Sequence, residues 1–104
     1  MNEPTSQGEI WLVHTIAGRQ FTVVVVDSTH MVRRRPAVLC ARVLAAREVP
    51  SSLALLTVPL GDNQVVGVHE VSAFTRCSFL EHKGRLSDAE LEQLNVCLRA
   101  RFEL

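Results

Sequence analysis

A chain of 104 residues has room for one domain and one hydrophobic core. Eleven basic and eleven acidic residues cancel, which excludes global steering toward nucleic acid or a membrane and leaves only local patches. Hydrophobic residues make up 47% of the chain, with no Tyr, so a globular core must be built from Val and Leu.

No apolar run approaches the roughly 18–20 residues needed to span a bilayer. The start, Met1 to Gly8, is polar and carries Glu3 and Pro4, unlike a signal peptide. A cytoplasmic protein without membrane contact is therefore expected. Cys40, Cys77 and Cys97 are odd in number, far apart and without a CxxC pair. They read as small apolar residues of a reducing compartment, not as a disulfide framework or zinc site. No metal and no cofactor is expected.

In chain order, a flexible leader (1–7) precedes Glu9 to Thr15, which reads as the first strand. Ala17-Gly18-Arg19 supplies turn chemistry. Phe21 to Val26 lacks polar alternation and predicts a central strand covered on both faces. Asp27 to His30 breaks it, and the basic run Arg33-Arg34-Arg35 leads to Pro36. Ala37 to Leu44 could open as a helix at Pro36, but is read as strand through Arg42, with room for a helical turn near Ala45 to Arg47. Leu53 to Leu60 reads as a strand ended or edged by Pro59. Gly61-Asp62-Asn63 turns the chain tightly into Gln64 to Phe74, a hairpin.

The last element is a helix. Ser87 is a natural N-cap, Glu90 completes a capping box, and Leu86 with Leu91 forms a hydrophobic staple. Leu91, Leu94, Leu98 and Phe102 make one apolar stripe, with Glu92, Arg99 and Glu103 facing water. Five strands and one helix predict a single, mainly β domain over residues 1–104: a small, partly open SH3-like barrel with a C-terminal helix.

The hexapeptide Gly8-Glu9-Ile10-Trp11-Leu12-Val13 resembles the opening strand of the MazF/PemK/Kid toxins, the ribonuclease halves of toxin–antitoxin pairs. Lys83-Gly84-Arg85-Leu86-Ser87 before the helix is similar to the segment that closes them. Between these, Arg34-Arg35, Leu53 to Leu60, Gly61-Asp62 and the final helix are similar in order and spacing to CcdB, the gyrase-poisoning toxin. The resemblance implies a cytoplasmic homodimer silenced by a cognate antitoxin. It also implies a metal-independent endoribonuclease that cleaves mRNA, or alternatively a non-catalytic binder of gyrase or another target. For CcdB action the residues that matter are a Trp-Gly-Ile tail, and this chain ends Arg101-Phe102-Glu103-Leu104.

In the ribonuclease branch an Arg-Pro opens the second strand and a Thr lies near the end of the third. Matching strands puts Gln20-Phe21 on the Arg-Pro, with Arg19 just before, and Ala41-Arg42 near the Thr. A second alignment matches Arg35-Pro36 instead, makes Phe21 to Asp27 an insertion and puts Gly61 at the Thr. Neither supplies a Thr.

Metal-free RNA cleavage needs a group to activate the ribose 2′-hydroxyl, another to protonate the leaving 5′-oxygen, and a cation for the phosphorane. Candidates for catalysis are Arg19, Glu70, His14 and His69. Glu70 stands near the acid of an Arg-x-Asp arrangement in the Kid-like toxins, and histidine exchanges protons near neutral pH. In a regular strand His69 and Glu70 point to opposite faces, so at most one should enter a shared site. Arg33, Arg34, Arg35 and Gln20 are candidates for holding RNA, the arginines through bidentate phosphate contacts. Each also has an ordinary reading as an exposed or solvated side chain.

Overall fold

Two strands, β1 (Glu9–His14) and β2 (Gln20–Val25), open the fold as an antiparallel hairpin in the computed structural model, which describes residues 3–102. Gly18 takes φ 82° in the turn, and its amide donates to the Thr15 carbonyl at 2.9 Å. β2 is central and covered on both faces, as its unbroken Val run predicts. Val23 and Val25 pack with Trp11, Val13, Val38 and Cys40. Val24 and Val26 pack on the other side with Ala41, Val66 and Val68.

A short helix, α1 (Thr29–Val32), fills the segment that sequence reads only as a break. The Ser28 hydroxyl caps it by accepting from the Met31 amide, and Val32 is buried. β3 (Ala37–Ala45) is a strand throughout, and a 3-10 turn over Ala46–Glu48 follows where a helical turn was allowed.

The strand expected over Leu53 to Leu60 is half correct. Pro50 opens a 3-10 segment, Ser51–Leu56, in which the Leu53 amide reaches the Pro50 carbonyl at 2.9 Å. The strand proper, β4 (Thr57–Gly61), starts later. Apolar content alone cannot tell a tight helical turn from a strand. β4 and β5 (Gln64–Thr75) form the predicted hairpin. Its two central residues, Asp62 and Asn63, have φ 50° and 61°, the left-handed pair that matches the twist of such strands.

A sixth strand, β6 (Phe79–Arg85), corrects the expected five. Most of its side chains are exposed and four are charged or His, so it carries no apolar pattern to read. It pairs only with β1, at the sheet edge, where such residues are usual. The sheet runs β4-β5-β3-β2-β1-β6, antiparallel and open.

The closing helix, α2 (Asp88–Phe102), covers one face. Its capping box is formed as read: the Ser87 amide donates to Glu90 Oε1 at 2.8 Å, and the Glu90 amide donates to Ser87 Oγ at 3.1 Å. Leu94 and Cys97 are fully buried against Val58, Val66 and Val68. Phe102 departs from the expected stripe and is half exposed, because it lies past the end of the apolar cluster. Glu103, expected to face water, lies outside the described residues.

Gly8-Glu9-Ile10-Trp11 proves to be a folding motif. Gly8, at φ 89°, donates to the Val25 carbonyl and accepts from the Leu86 amide, both at 2.9 Å. A Cβ there would meet Leu91 at 3.1 Å. Glu9 is buried and accepts from the Thr5 amide and hydroxyl, from Ser6 Oγ, and from Trp11 Nε1 at 3.0 Å. Burial alone pushes its carboxyl up, but these hydrogen bonds outweigh that and hold it below its ordinary value. They also tie down part of the segment read as a flexible leader. Pro4 is buried, and Gln7 Nε2 donates to the Val26 carbonyl and to Asn95.

Candidate functional site

β3 and β5 do not pair evenly. Ala41 opposes Val71, but the next residue, Arg42, opposes Gly67, leaving Val68, His69 and Glu70 as a bulge without ladder partners. Beside the bulge, β2, β3 and β5 enclose an open cavity of about 250 Å³. Phe21 and Val23 line it from β2, Cys40 and Arg42 from β3, and His69, Glu70, Val71, Ser72 and Phe74 from β5.

The bulge overturns the expectation that His69 and Glu70 must part. Strict alternation holds only where the ladder is regular, and here both residues line one cavity. Gly67 makes room for the ring. A Cβ at that position would stand 3.0 Å from the His69 imidazole and 2.8 Å from Leu44. His69 Nδ1 is buried with no hydrogen-bond partner among the described residues.

The exposed Arg42 guanidinium lies 4.7 Å from the centre of the Phe21 ring, a cation–π contact at the cavity wall. Phe21 meets Phe74 edge to face at 5.7 Å. Arg42 has no carboxylate within ion-pair distance among the described residues, so its charge is available to a ligand. Cys40 is no nucleophile. Burial, and then the charge of Asp27, push its thiol far above the ordinary range.

The other candidates lie elsewhere. His14 pairs with Gln20 at the end of the β1–β2 hairpin, its Nε2 3.3 Å from the Cys77 carbonyl. Arg19 is exposed in the turn and is held through its backbone by Thr15. None of the three lines the cavity. Arg33, Arg34 and Arg35 are exposed just after α1. The Arg34 and Arg35 amides donate to the Met31 carbonyl, so the run is a helix end with a defined backbone. Arg76 braces it by donating to the carbonyls of Val32 and Pro4.

Arg42 is the cavity residue that sequence reasoning passed over. Its signal was present: one cation inside the apolar run Val38 to Ala45. Phe21 to Asp27 contains most of β2, a buried strand in mid-sheet. Among the described residues no group of three or more His, Cys, Asp or Glu is arranged to hold a metal, and no helix is long and apolar enough to cross a membrane.

This open antiparallel sheet with one C-terminal helix shares its fold with solved MazF toxins. An endoribonuclease in complex with its cognate antitoxin, from a mycobacterial species, superposes with a TM-score of 0.82 at 13% identity, covering 97% of both chains. The Mycobacterium tuberculosis toxin MazF-mt6 gives 0.76 at 16% identity, covering 92% of this chain and 97% of the other. A MazE–MazF structure from Deinococcus radiodurans gives 0.74 at 13% identity, covering 98% and 97%. No protein-family model and no curated protein sequence matches the chain.

Proposed function

We propose that this chain is the endoribonuclease toxin of a toxin–antitoxin pair and cuts single-stranded RNA, without a metal, in the cavity of β2, β3 and β5. One observation carries the reading. Under the strand-matched alignment the family's Arg-Pro falls on residues 20–21 and its Thr near 41–42, and Arg42 stands 4.7 Å over Phe21 in that cavity. One residue from each of these two motif positions, far apart in sequence, therefore lines the same charged, partly aromatic cleft.

In the proposed reaction Glu70 takes the proton of the ribose 2′-hydroxyl as its oxygen attacks the adjacent phosphorus. The phosphorus–5′-oxygen bond breaks, and His69 gives a proton to the departing oxygen, leaving a 2′,3′-cyclic phosphate and a 5′-hydroxyl. Arg42 stabilises the extra charge of the phosphorane. Phe21 and Phe74 offer faces to an unstacked base, which favours single-stranded substrate. The roles first considered for Arg19 and His14 thus pass to Arg42 and His69. Arg19, Gln20 and the run Arg33 to Arg35 hold flanking RNA, mostly by its phosphates.

The neighbours include an endoribonuclease with its cognate antitoxin and a MazE–MazF complex. A cognate antitoxin protein is accordingly the partner proposed, and a cytoplasmic homodimer the working form. Incubating the purified protein with a long RNA, with and without EDTA, tests the reading. Cleavage that survives EDTA and disappears in Arg42→Ala is expected. A wild-type protein that cuts no RNA would overturn it in favour of non-catalytic binding.

A further inference from the structure

The bulge that brings His69 and Glu70 to one cavity has carbonyls which no neighbouring strand serves, since Val68, His69 and Glu70 oppose nothing on β3. A guanidinium from the last turn of α2 serves two of them. Arg101 Nη1 donates to the Val68 carbonyl at 3.2 Å and to the His69 carbonyl at 2.9 Å. The same guanidinium lies 5.4 Å from the centre of the Phe102 ring. Bonds from a charged donor are stronger than neutral ones, and the two hydrogens of one planar Nη1 group aim at both carbonyls in fixed directions.

From this geometry we infer that Arg101 is a positioning residue for the site. It holds the β5 bulge in the shape that turns two adjacent side chains toward the same cavity. Without the clamp the carbonyls of Val68 and His69 turn to water and the bulge relaxes. His69, packed over Gly67, and Glu70 then lose their common aim. Arg101 touches no reacting atom and acts wholly through backbone. The kinetic consequence rests on the ribonuclease reading, whereas the structural consequence does not.

The test compares Arg101→Ala, Arg101→Lys and, as a control, Arg99→Ala. The control removes one charge from the same helix end at a residue that faces a different groove, beside Asn95 and Leu98. In wild-type and variant proteins the amide resonances of Gly67 to Val71 and the His69 ring signals are followed by NMR. Turnover of a long single-stranded RNA is measured alongside. In Arg101→Ala the bulge amides and the His69 ring should shift while β1 stays unchanged. kcat should fall about 10–100-fold with KM changed less than about threefold, because a displacement near 1 Å misaligns reacting groups without removing binding contacts. Arg101→Lys should recover part of both effects, and Arg99→Ala should show neither. Unchanged bulge and ring signals in Arg101→Ala overturn the inference, as does an equal response in Arg99→Ala. If the wild type cuts no RNA, the ribonuclease reading falls, and the NMR comparison still decides the role of Arg101.

Discussion

At the residue scale the two most informative side chains are a cation in an apolar strand and an anion in a buried one. In the proposed reaction Arg42 stabilises charge that exists only in the transition state. Arg42→Ala should therefore lower kcat by about 10²–10³ with a smaller change in KM. Arg19→Ala, at the exposed turn, should weaken RNA binding and its salt dependence and leave kcat near wild type. Steady-state kinetics at two salt concentrations separates the two, and the reverse pattern would return the catalytic role to Arg19. Glu9 tests the fold instead. Its carboxyl is held below the ordinary value of 4.5 in the folded state, so its charge stabilises the fold above that pH. The contribution is lost as pH falls through the folded value. Glu9→Gln should be less stable than wild type near pH 7, and the gap should close in acid. Denaturant melts across that pH range measure it, and a constant gap would mean that charge is not what the Thr5, Ser6 and Trp11 donors recognise.

At the element scale α2 both closes the core and reaches the site. Ser87→Ala removes an N-cap whose two reciprocal hydrogen bonds are formed, and should cost about 1 kcal/mol. Leu94→Ala empties a fully buried position between the helix and the sheet, and should cost about 2–5 kcal/mol. Equal and negligible losses in urea melts would mean that the helix is not docked. β5 shows the opposite economy. It gives up three ladder positions at the bulge and gains a cleft that His69, Glu70 and Arg42 line together.

At the scale of the whole molecule several apolar side chains lack cover. Ile16 and Leu55 are exposed, and Leu80, Val96 and Phe102 partly so. A dimer that covers some of them fits the proposed toxin, and sedimentation at micromolar concentration should show a reversible monomer–dimer equilibrium or a stable dimer. A monomer at every concentration would count against it.

What the sequence determined by itself were the features whose physics is local. The Asp62-Asn63 turn, the Ser87–Glu90 box and the Val run of β2 depend on residues a few positions apart, and each stands where it was read. The Gly8-Glu9-Ile10-Trp11 motif was legible as a signature, although its work as a buried hydrogen-bond hub was not. Tertiary structure decided the rest. β6 is a strand because β1 has a free edge, not because Phe79 to Arg85 has a strand's pattern. The cavity joins residues 21, 23, 40, 42, 69–72 and 74, which only strand pairing brings together. His69 and Glu70 share it because a bulge breaks the period of two from which sequence reasoning had separated them. A period describes a regular ladder, and where the ladder skips residues only the partner strand, with Arg101 bracing the skipped carbonyls, sets the direction of a side chain.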